Sequence, residues 1–223
     1  MAFALRHRGP DGQDAWVADS GACALGHSRL KVIDLHTGDQ PMANEDGSVQ
    51  AVFNGEIYNF QALRSELEAR GHRFASRSDT EVLVHGWEEW GEELPHRLDG
   101  MFAFGVWDEG RGSLFLGRDR AGKKPLFWTE TAGRFAFASE IKALRSLPWF
   151  DGELDPAAFP HYLAYGYVPA PGTFHRRVRV LPPGSMMTVY AGRGHGSTGQ
   201  SGRVGDPRRY WELSWASPSR GTL

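Results

Sequence analysis

Two adjacent residues, Asn54 and Gly55, carry hydrogen-bond donors that could stabilise a negatively charged oxygen. The asparagine amide and the glycine N–H can point at one atom, and glycine lets a substrate approach the backbone closely. The pair follows an apolar run at 48–53 that is typical of a β-strand. Asn-Gly is also a favoured turn dipeptide, so a plain turn after a strand would explain the same residues. The pair alone leaves both interpretations open.

Three charged side chains could bind an amino acid that carries two opposite charges. Arg29 could hold an α-carboxylate through the fork of its guanidinium group, and Glu56 and Asp79 could accept hydrogen bonds from an α-ammonium group. Each also has a simpler explanation. An arginine at a strand edge is usually solvated, and Asp79 would suit the positive end of a helix dipole.

Hairpins and helices are the elements that must position these side chains. Short apolar segments near glycine-containing turns predict antiparallel strands at 15–18, 23–27, 48–53, 101–107, 113–116, 126–129 and 135–139. Helices are expected at 60–70, from about residue 79, and at 156–164. The second helix would start with a capping box, because Ser78 and Glu81 have the required spacing. Hairpins plus helices, without βαβ alternation, predict an α+β layered fold.

The composition argues against several classes of protein. The net charge is −2, from 25 Lys+Arg and 27 Asp+Glu, so there is no electrostatic basis for binding nucleic acid or an anionic membrane. No apolar run approaches the roughly 20 residues that span a bilayer, and the first residues lack signal-peptide architecture. A single cysteine, Cys23, excludes an internal disulfide and favours a cytoplasmic protein. No His/Cys cluster has metal-ligand spacing, so we predict no metal site.

The composition changes near residue 191. From 191 to 209 glycine, serine, arginine and proline dominate, which predicts a flexible loop or linker. An apolar stretch at 210–213 precedes a polar tail. We therefore expect one domain over residues 1–190, and over 191–223 a linker that leads into a further, absent domain.

A series of short motifs, in their order along the chain, resembles the glutaminase domain of glutamine-hydrolysing asparagine synthetases. They include Arg-His-Arg-Gly-Pro-Asp-Gly at 6–12 and Phe-Asn-Gly-Glu-Ile-Tyr-Asn at 53–59. The others lie at 26–35, 40–42, 78–82, 100–104, 118–126, 137–144, 166–169 and 181–184. Other class II amidotransferases share the Asn-Gly pair but are not expected to carry the Glu-Ile-Tyr-Asn continuation.

The resemblance implies a four-layer αββα sandwich of two antiparallel sheets, of the N-terminal-nucleophile type. In that family the mature chain begins with a cysteine. Its thiolate attacks the glutamine side-chain amide, and its own α-amine acts as the base. Ammonia leaves, and water releases glutamate from the thioester. The ammonia then passes to a C-terminal synthetase domain, where ATP activates aspartate.

The resemblance also implies roles for individual residues. Asn54 and Gly55 would form an oxyanion hole, Arg29 would bind the glutamine carboxylate, and Glu56 and Asp79 would bind its ammonium group. Backbone groups of the segment after Arg29 would line the pocket: Leu30, Lys31, Val32 and Ile33. The expected partners are glutamine, a synthetase domain in cis or in trans, and a second copy in a homodimer. No cofactor is expected in this chain, because ATP and Mg²⁺ belong to the synthetase domain.

The chain departs from the family pattern at both ends. The first motif starts at residue 6, behind Met1 and Ala2, so we expect the segment with the nucleophilic N-terminal cysteine to be absent. The first strand of the fold would be absent with it, which would leave a sheet edge unpaired. Cys23 is internal and has no free α-amine, and its apolar neighbours favour a structural thiol. The Ser-Gly-Gly-Leu-Asp loop of the synthetase domain does not occur either.

Three functions fit the sequence. The first is the glutaminase part of an asparagine synthase, in a chain that hydrolyses glutamine no faster than a blank. The second is a degenerate module that binds glutamine or a synthetase partner without catalysis. The third is an amidotransferase that supplies ammonia to a different acceptor.

Overall fold

The described part of the chain contains three antiparallel sheets. A computed structural model describes residues 1–30, 34, 37–192 and 202–214. Its strands are β1 (Gly12–Val17), β2 (Ala24–Arg29), β3 (Met42–Ala43), β4 (Val49–Ile57), β5 (Gly100–Asp108), β6 (Ser113–Arg118), β7 (Phe127–Thr131), β8 (Arg134–Ala138), β9 (Val178–Val180), β10 (Ser185–Tyr190), β11 (Arg203–Val204) and β12 (Arg208–Arg209).

The largest sheet has seven strands. Six of them lie in the order β11-β10-β6-β5-β4-β3, and β12 also pairs with β10. A second sheet has the order β8-β7-β9, and β1 and β2 form a third. The pairs β1–β2, β5–β6 and β7–β8 are hairpins of neighbouring strands, as the glycine-containing turns predict.

Five α-helices and two short 3-10 helices complete the described elements. The α-helices are α1 (Phe60–Ala69), α2 (Glu81–Trp90), α3 (Leu94–Arg97), α4 (Ile141–Leu144) and α5 (Ala158–Tyr165). The 3-10 helices span Ala2–Leu5 and Gly91–Glu93. Within the described residues, no helix has the length and apolar character needed to cross a bilayer.

Residues of β4 and β5 alternate between the two faces of the large sheet, as successive residues of any strand must. Phe53, Phe102 and Phe104 pack in one apolar cluster with α1 and α2. Val52 and Ala103 lie on the opposite face and pack with residues of the second sheet.

The second sheet repeats this alternation. Phe135 and Phe137 of β8 pack towards the large sheet. Ala136 and Ala138 lie on the other side, in a cluster with residues of α4. The layers are therefore helices, sheet, sheet and helix, which confirms the α+β sandwich of antiparallel sheets.

The layer that packs on the large sheet consists of two separate sheets, β8-β7-β9 and β1-β2. Among the described residues, β2 pairs only with β1, and β8 pairs only with β7. Both β2 and β8 line one large cavity. Two strands that each have an edge without a partner among the described residues therefore border this cavity.

The Asn-Gly pair lies inside a strand. β4 continues to Ile57, and nine residue pairs join it to β5, including Asn54 with Ala103 and Gly55 with Phe102. This pairing excludes a turn at Asn54 and Gly55. The local turn preference of the dipeptide is overridden by the long register with β5.

The predicted start of α2 is wrong by two residues. The helix begins at Glu81, and its first turn has no side-chain cap. The Glu81 carboxylate accepts hydrogen bonds from the backbone N–H groups of Ala75 and Ser76, at 2.6 and 2.8 Å. It therefore anchors the segment before the helix and does not complete a capping box.

Part of the predicted linker belongs to the large sheet. β11 and β12 both pair with β10. Tyr210 is buried, and its hydroxyl donates a hydrogen bond to the Arg118 carbonyl at 2.9 Å. Residues 193–201 and 215–223 lie outside the described residues, so the division near residue 190 stays a prediction.

Candidate functional site

A cavity of about 1160 Å³ brings together the described residues that we expect to form a site. These residues are Arg29, Leu30, Asn54, Gly55, Glu56 and Asp79. Lys31, Val32 and Ile33 lie outside the described residues, so their part in the pocket stays a prediction.

One edge of β4 directs backbone donors towards this cavity. The Phe53 N–H donates to Gln40 Oε1 at 2.7 Å, and the Ile57 N–H donates to Asp79 Oδ2 at 2.9 Å. N–H groups two residues apart in a strand point to the same edge. The Gly55 N–H therefore lies between these two donors, on the edge where the side chains of Gln40 and Asp79 approach the strand.

Position 55 has room only for glycine. A Cβ added there would lie 2.0 Å from the Met101 carbonyl oxygen and 2.8 Å from the Phe102 Cα. Both are backbone atoms of β5, which cannot shift without disturbing the sheet. The close approach of β4 and β5 thus requires Gly55.

The Asn54 side chain lies on the same face of β4 as Val52, between the two sheet layers. Its Nδ2 donates to Ser139 Oγ at 3.3 Å, which is a long hydrogen bond. Ser139 follows β8 and also lines the cavity. A side-chain amide has two N–H donors, so one can hold Ser139 while the other serves a ligand oxygen.

Arg29 ends β2 and is buried, with 6% of its surface exposed. Its Nη1 contacts Asp39 Oδ1 at 2.6 Å, and its Nη2 donates to the Asp34 carbonyl. Gly38 leaves room for this group, because a Cβ there would lie 2.5 Å from Nη2. The Asp39 side chain is 68% exposed. A ligand carboxylate has the same charge and shape as Asp39 and could take its place on the guanidinium group.

Two carboxylates at the far end of β4 favour a cation in the cavity. Asp79 is buried, and this burial raises the pKa of its carboxyl group. The negative charge of Glu56 raises that pKa further, although the hydrogen bond from the Ile57 N–H opposes the change. A ligand ammonium group beside Asp79 and Glu56 would relieve their mutual repulsion.

Gln40 is a positioning residue that residue chemistry alone did not identify. Its Oε1 accepts the Phe53 N–H, and its Nε2 donates to Thr80 Oγ1 at 3.1 Å. The buried amide thus joins β4 to the segment that carries Asp79. Only its place in the motif at 40–42, which belongs to the family resemblance, could have pointed to this role. The residue type of Gln40 gives no such indication.

The motif at 6–12 supports the strand that carries Arg29. The Asp11 N–H donates to the Arg29 carbonyl at 3.0 Å. His7 and Arg8 contact the Glu140 carboxylate at 3.2 and 3.1 Å. This motif therefore links β2 to the segment after β8, across the cavity.

Arg118 and Asp119 belong to another of the motifs, and their contacts are structural. The Arg118 guanidinium donates to three backbone carbonyls at 2.6–2.7 Å, those of Gly122, Lys124 and Leu181. The Asp119 carboxylate accepts four backbone N–H groups, those of Phe102, Ala121, Lys123 and Lys124. The pair holds the loop between β6 and β7 in place.

Cys23 lies on the cavity wall but lacks the properties of a nucleophile. Burial raises the pKa of its thiol to about 12, and the charge of Glu109 adds to the effect. The thiolate is the reactive form of cysteine. Because Cys23 stays protonated near neutral pH and packs with the apolar residues between the sheets, its contacts support a structural thiol.

The sequence profile of the glutamine amidotransferase domain family matches residues 1–199. The chain belongs to this family. It is 40% identical over 191 residues to glutamine-hydrolysing asparagine synthetase 3 of Bacillus subtilis, covering 84% of this chain and 31% of that protein. It is 42% identical over 198 residues to a putative glutamine-hydrolysing asparagine synthetase of Mycobacterium bovis, covering 84% and 30%. The chain thus spans about a third of the length of these relatives.

Two solved structures share the fold. Glutamine phosphoribosylpyrophosphate amidotransferase of Bacillus subtilis, in complex with ADP and GMP, has a TM-score of 0.53 and 23% identity, covering 83% of this chain and 42% of that chain. An allosteric regulatory enzyme of purine biosynthesis has a TM-score of 0.50 and 23% identity, covering 74% and 32%. The likeness concerns the fold alone.

Proposed function

We propose that the cavity binds glutamine and that the chain is the glutamine-binding part of a glutaminase. The Arg29 guanidinium binds the α-carboxylate, and the Asp79 and Glu56 carboxylates bind the α-ammonium group. The Asn54 side chain and the Gly55 N–H donate to the oxygen of the side-chain amide as it gains negative charge.

The main support for this proposal is the spacing of the backbone N–H groups along the edge of β4. Asp79 is held by the Ile57 N–H, two residues from the Gly55 N–H, which corresponds to about 7 Å along a strand. In extended glutamine, four bonds separate the ammonium nitrogen from the carbonyl carbon of the side chain, or about 5 Å. One glutamine molecule can therefore reach both the carboxylate and the oxyanion donor.

The proposed overall reaction also needs a domain that this chain does not contain. The curated relatives are named asparagine synthetases, so we propose that ammonia released here passes to a synthetase domain, in cis or in trans, that amidates aspartate with ATP. ATP and Mg²⁺ would bind in that domain. An amidotransferase with a different ammonia acceptor is the alternative, and the described residues favour neither acceptor.

We also propose that the chain does not hydrolyse glutamine by itself. Its single cysteine is internal and has a strongly raised thiol pKa, so it offers no thiolate near the Gly55 N–H. Purified chain 1–223, assayed with glutamate dehydrogenase as coupling enzyme, should release glutamate at the rate of the blank. Release above the blank would contradict this, and Cys23→Ser would then show whether Cys23 is the nucleophile.

Calorimetric titration with L-glutamine tests the binding proposal. We expect Arg29→Lys and Asp79→Asn each to weaken binding about 10-fold or more, because each removes a charge-assisted hydrogen bond of about 1.5–3 kcal/mol. Arg145→Lys and Asp99→Asn are matched controls, since both residues are exposed and neither lines the cavity. Circular dichroism of each variant establishes that it is folded.

Two glutamine analogues test which side chain binds each charged group of glutamine. Glutaramate lacks the ammonium group, so Asp79→Asn should not weaken its binding. 4-Aminobutyramide lacks the α-carboxylate, so Arg29→Lys should not weaken its binding. Glutamine binding that is the same in both cavity variants and both controls would refute the assignment, as would a folded chain that binds no glutamine.

A further inference from the structure

A second cluster of titratable side chains lies away from the amidotransferase cavity, around His85 of α2. His85 is almost completely buried, with 1% of its surface exposed. Carboxylates face both nitrogens of its ring. Glu88 Oε2 and Glu45 Oε2 lie 3.1 and 3.7 Å from Nδ1, and Glu81 Oε1 lies 3.6 Å from Nε2.

This arrangement requires a cation beside the ring. A neutral imidazole has one N–H and one lone pair. If Nε2 carries the hydrogen and faces Glu81, the lone pair of Nδ1 faces the oxygens of Glu45 and Glu88. If Nδ1 carries it, the lone pair of Nε2 faces Glu81. Either a proton or a metal ion must therefore separate a buried lone pair from a carboxylate.

His72 makes the metal ion the better fit. Its ring centroid lies 5.1 Å from that of His85, and its Nδ1 lies 3.6 Å from Glu88 Oε2. The ligand atoms offered by Glu45, His72 and His85 all lie within 4.8 Å of one another. Glu88 adds a second carboxylate, which contacts both histidines.

Each of these ligands is oriented by a further contact. His85 Nε2 faces Glu81, and His72 Nε2 lies 3.5 Å from Glu89 Oε2. Histidines that bind metals commonly direct their second nitrogen to a carboxylate in this way.

The two carboxylate ligands are held in the same manner. Glu88 Oε1 accepts a hydrogen bond from Asn44 Nδ2 at 2.7 Å, and Glu45 Oε1 accepts one from the Arg73 N–H at 3.1 Å. In both residues the other oxygen, Oε2, is the one that faces His85. The free oxygens are therefore directed at a common point.

We propose that four side chains bind a divalent transition-metal ion, zinc by their chemistry: Glu45, His72, His85 and Glu88. Zinc prefers four nitrogen and oxygen ligands at about 2.0–2.2 Å, which places tetrahedral ligand atoms about 3.3 Å apart. Glu88 Oε2 already has such distances to both histidines. The Glu45 side chain is 46% exposed and can close the remaining gap.

The ion would stabilise the fold and take no part in the amidotransferase chemistry. None of the four residues lines the cavity. Glu45 precedes β4, His72 follows α1, and His85 and Glu88 lie on α2. The ion would join these three segments on the helical side of the large sheet. The ligands come from separate segments, so sequence spacing predicts no metal site here.

Zinc binding to the EDTA-treated chain 1–223, measured by competition with a chromophoric chelator, tests this proposal. We expect one equivalent to bind, and His72→Gln and Glu45→Gln each to weaken binding 10-fold or more, because each removes a ligand. His96→Gln and Glu93→Gln are matched controls, since these residues form an exposed pair, 3.8 Å apart, on the same chain. Both controls should bind zinc as the unmodified chain does.

Thermal unfolding gives a second readout. Zinc should raise the Tm of the unmodified chain and of both controls, and at the same zinc concentration should raise the Tm of His72→Gln less. Cobalt(II) bound to the unmodified chain should show the visible bands of a tetrahedral site. No stoichiometric zinc binding by a folded chain would overturn the proposal and leave a proton as the cation beside His85. Binding that both ligand variants retain would overturn it as well.

Discussion

His27 should make the folded chain sensitive to mild acid. The residue lies in β2 and lines the cavity, and its Nδ1 is buried with no hydrogen-bond partner among the residues that the structure describes. The pKa of His27 is lowered from 6.5 to about 4, because burial and the charge of Arg29 lower it more than a hydrogen bond to the Phe53 backbone raises it. The folded chain therefore favours the neutral ring.

The direction of the effect follows from the two pKa values. The unfolded chain binds a proton at His27 below about pH 6.5, and the folded chain does so only below about pH 4. The contribution of His27 to stability is thus lost as the pH falls from 6.5 towards 4. At about 1.4 kcal/mol for each pKa unit, the free energy of unfolding should fall by about 2 kcal/mol between pH 7 and pH 5 on account of His27.

Urea unfolding of the unmodified chain and of His27→Gln, at pH 7 and pH 5, measures this difference. Glutamine keeps an N–H donor for the Phe53 carbonyl and cannot titrate, so the variant should lose about 2 kcal/mol less than the unmodified chain on acidification. His161→Gln controls for the loss of a histidine at an exposed position. Equal losses in the unmodified chain and in His27→Gln would refute the reasoning.

Three further substitutions test the site. Asp39→Asn should strengthen L-glutamine binding in calorimetry, because it removes the carboxylate that competes for Arg29; weaker binding would show that Asp39 takes part in recognition. Gly55→Ala should lower the free energy of unfolding by about 1–3 kcal/mol, since its Cβ collides with the Met101 carbonyl; a stability equal to that of the unmodified chain would contradict the observed strand spacing. Gln40→Ala should cost about 1–3 kcal/mol in urea unfolding with an unchanged m-value, because it leaves a buried N–H of β4 without its acceptor; an unchanged midpoint would contradict that role.

The sequence predicts the parts of the fold that depend on local pattern. The hairpin of β5 and β6 follows from two alternating apolar segments with a glycine-containing turn between them. β10 was not predicted, since its partner β6 lies about 70 residues earlier in the chain and no local signal marks the pairing. β3, β11 and β12 have two residues each, which is too short for any periodicity to show.

In the candidate site, too, the sequence predicts residue types but not the contacts between remote segments. Residue types identify Arg29, Asn54 and Asp79 as groups that could bind a zwitterion, and the fold places all three on one cavity. The roles of Gln40 and Asp39 depend on contacts with remote segments. A buried glutamine amide that satisfies a strand N–H has no signature in the neighbouring residues, because its partners are set by the tertiary fold.

Stability and binding should be coupled at some site residues and separate at others. The N–H groups of Phe53 and Ile57 are bound by Gln40 and Asp79, so these two side chains both hold β4 and define the walls on either side of the Gly55 N–H. Removing either acceptor, as in Gln40→Ala or Asp79→Ala, should therefore alter the fold and the pocket together, whereas Asp79→Asn keeps an oxygen for the Ile57 N–H. Asp39 is different, because its largely exposed side chain contacts Arg29 from the solvent side. Asp39→Asn should affect binding with little effect on stability, because asparagine keeps an oxygen that can accept a hydrogen bond from the Arg29 guanidinium group. A glutamine affinity that changes in Asp39→Asn at constant stability would thus separate recognition from folding within one cavity.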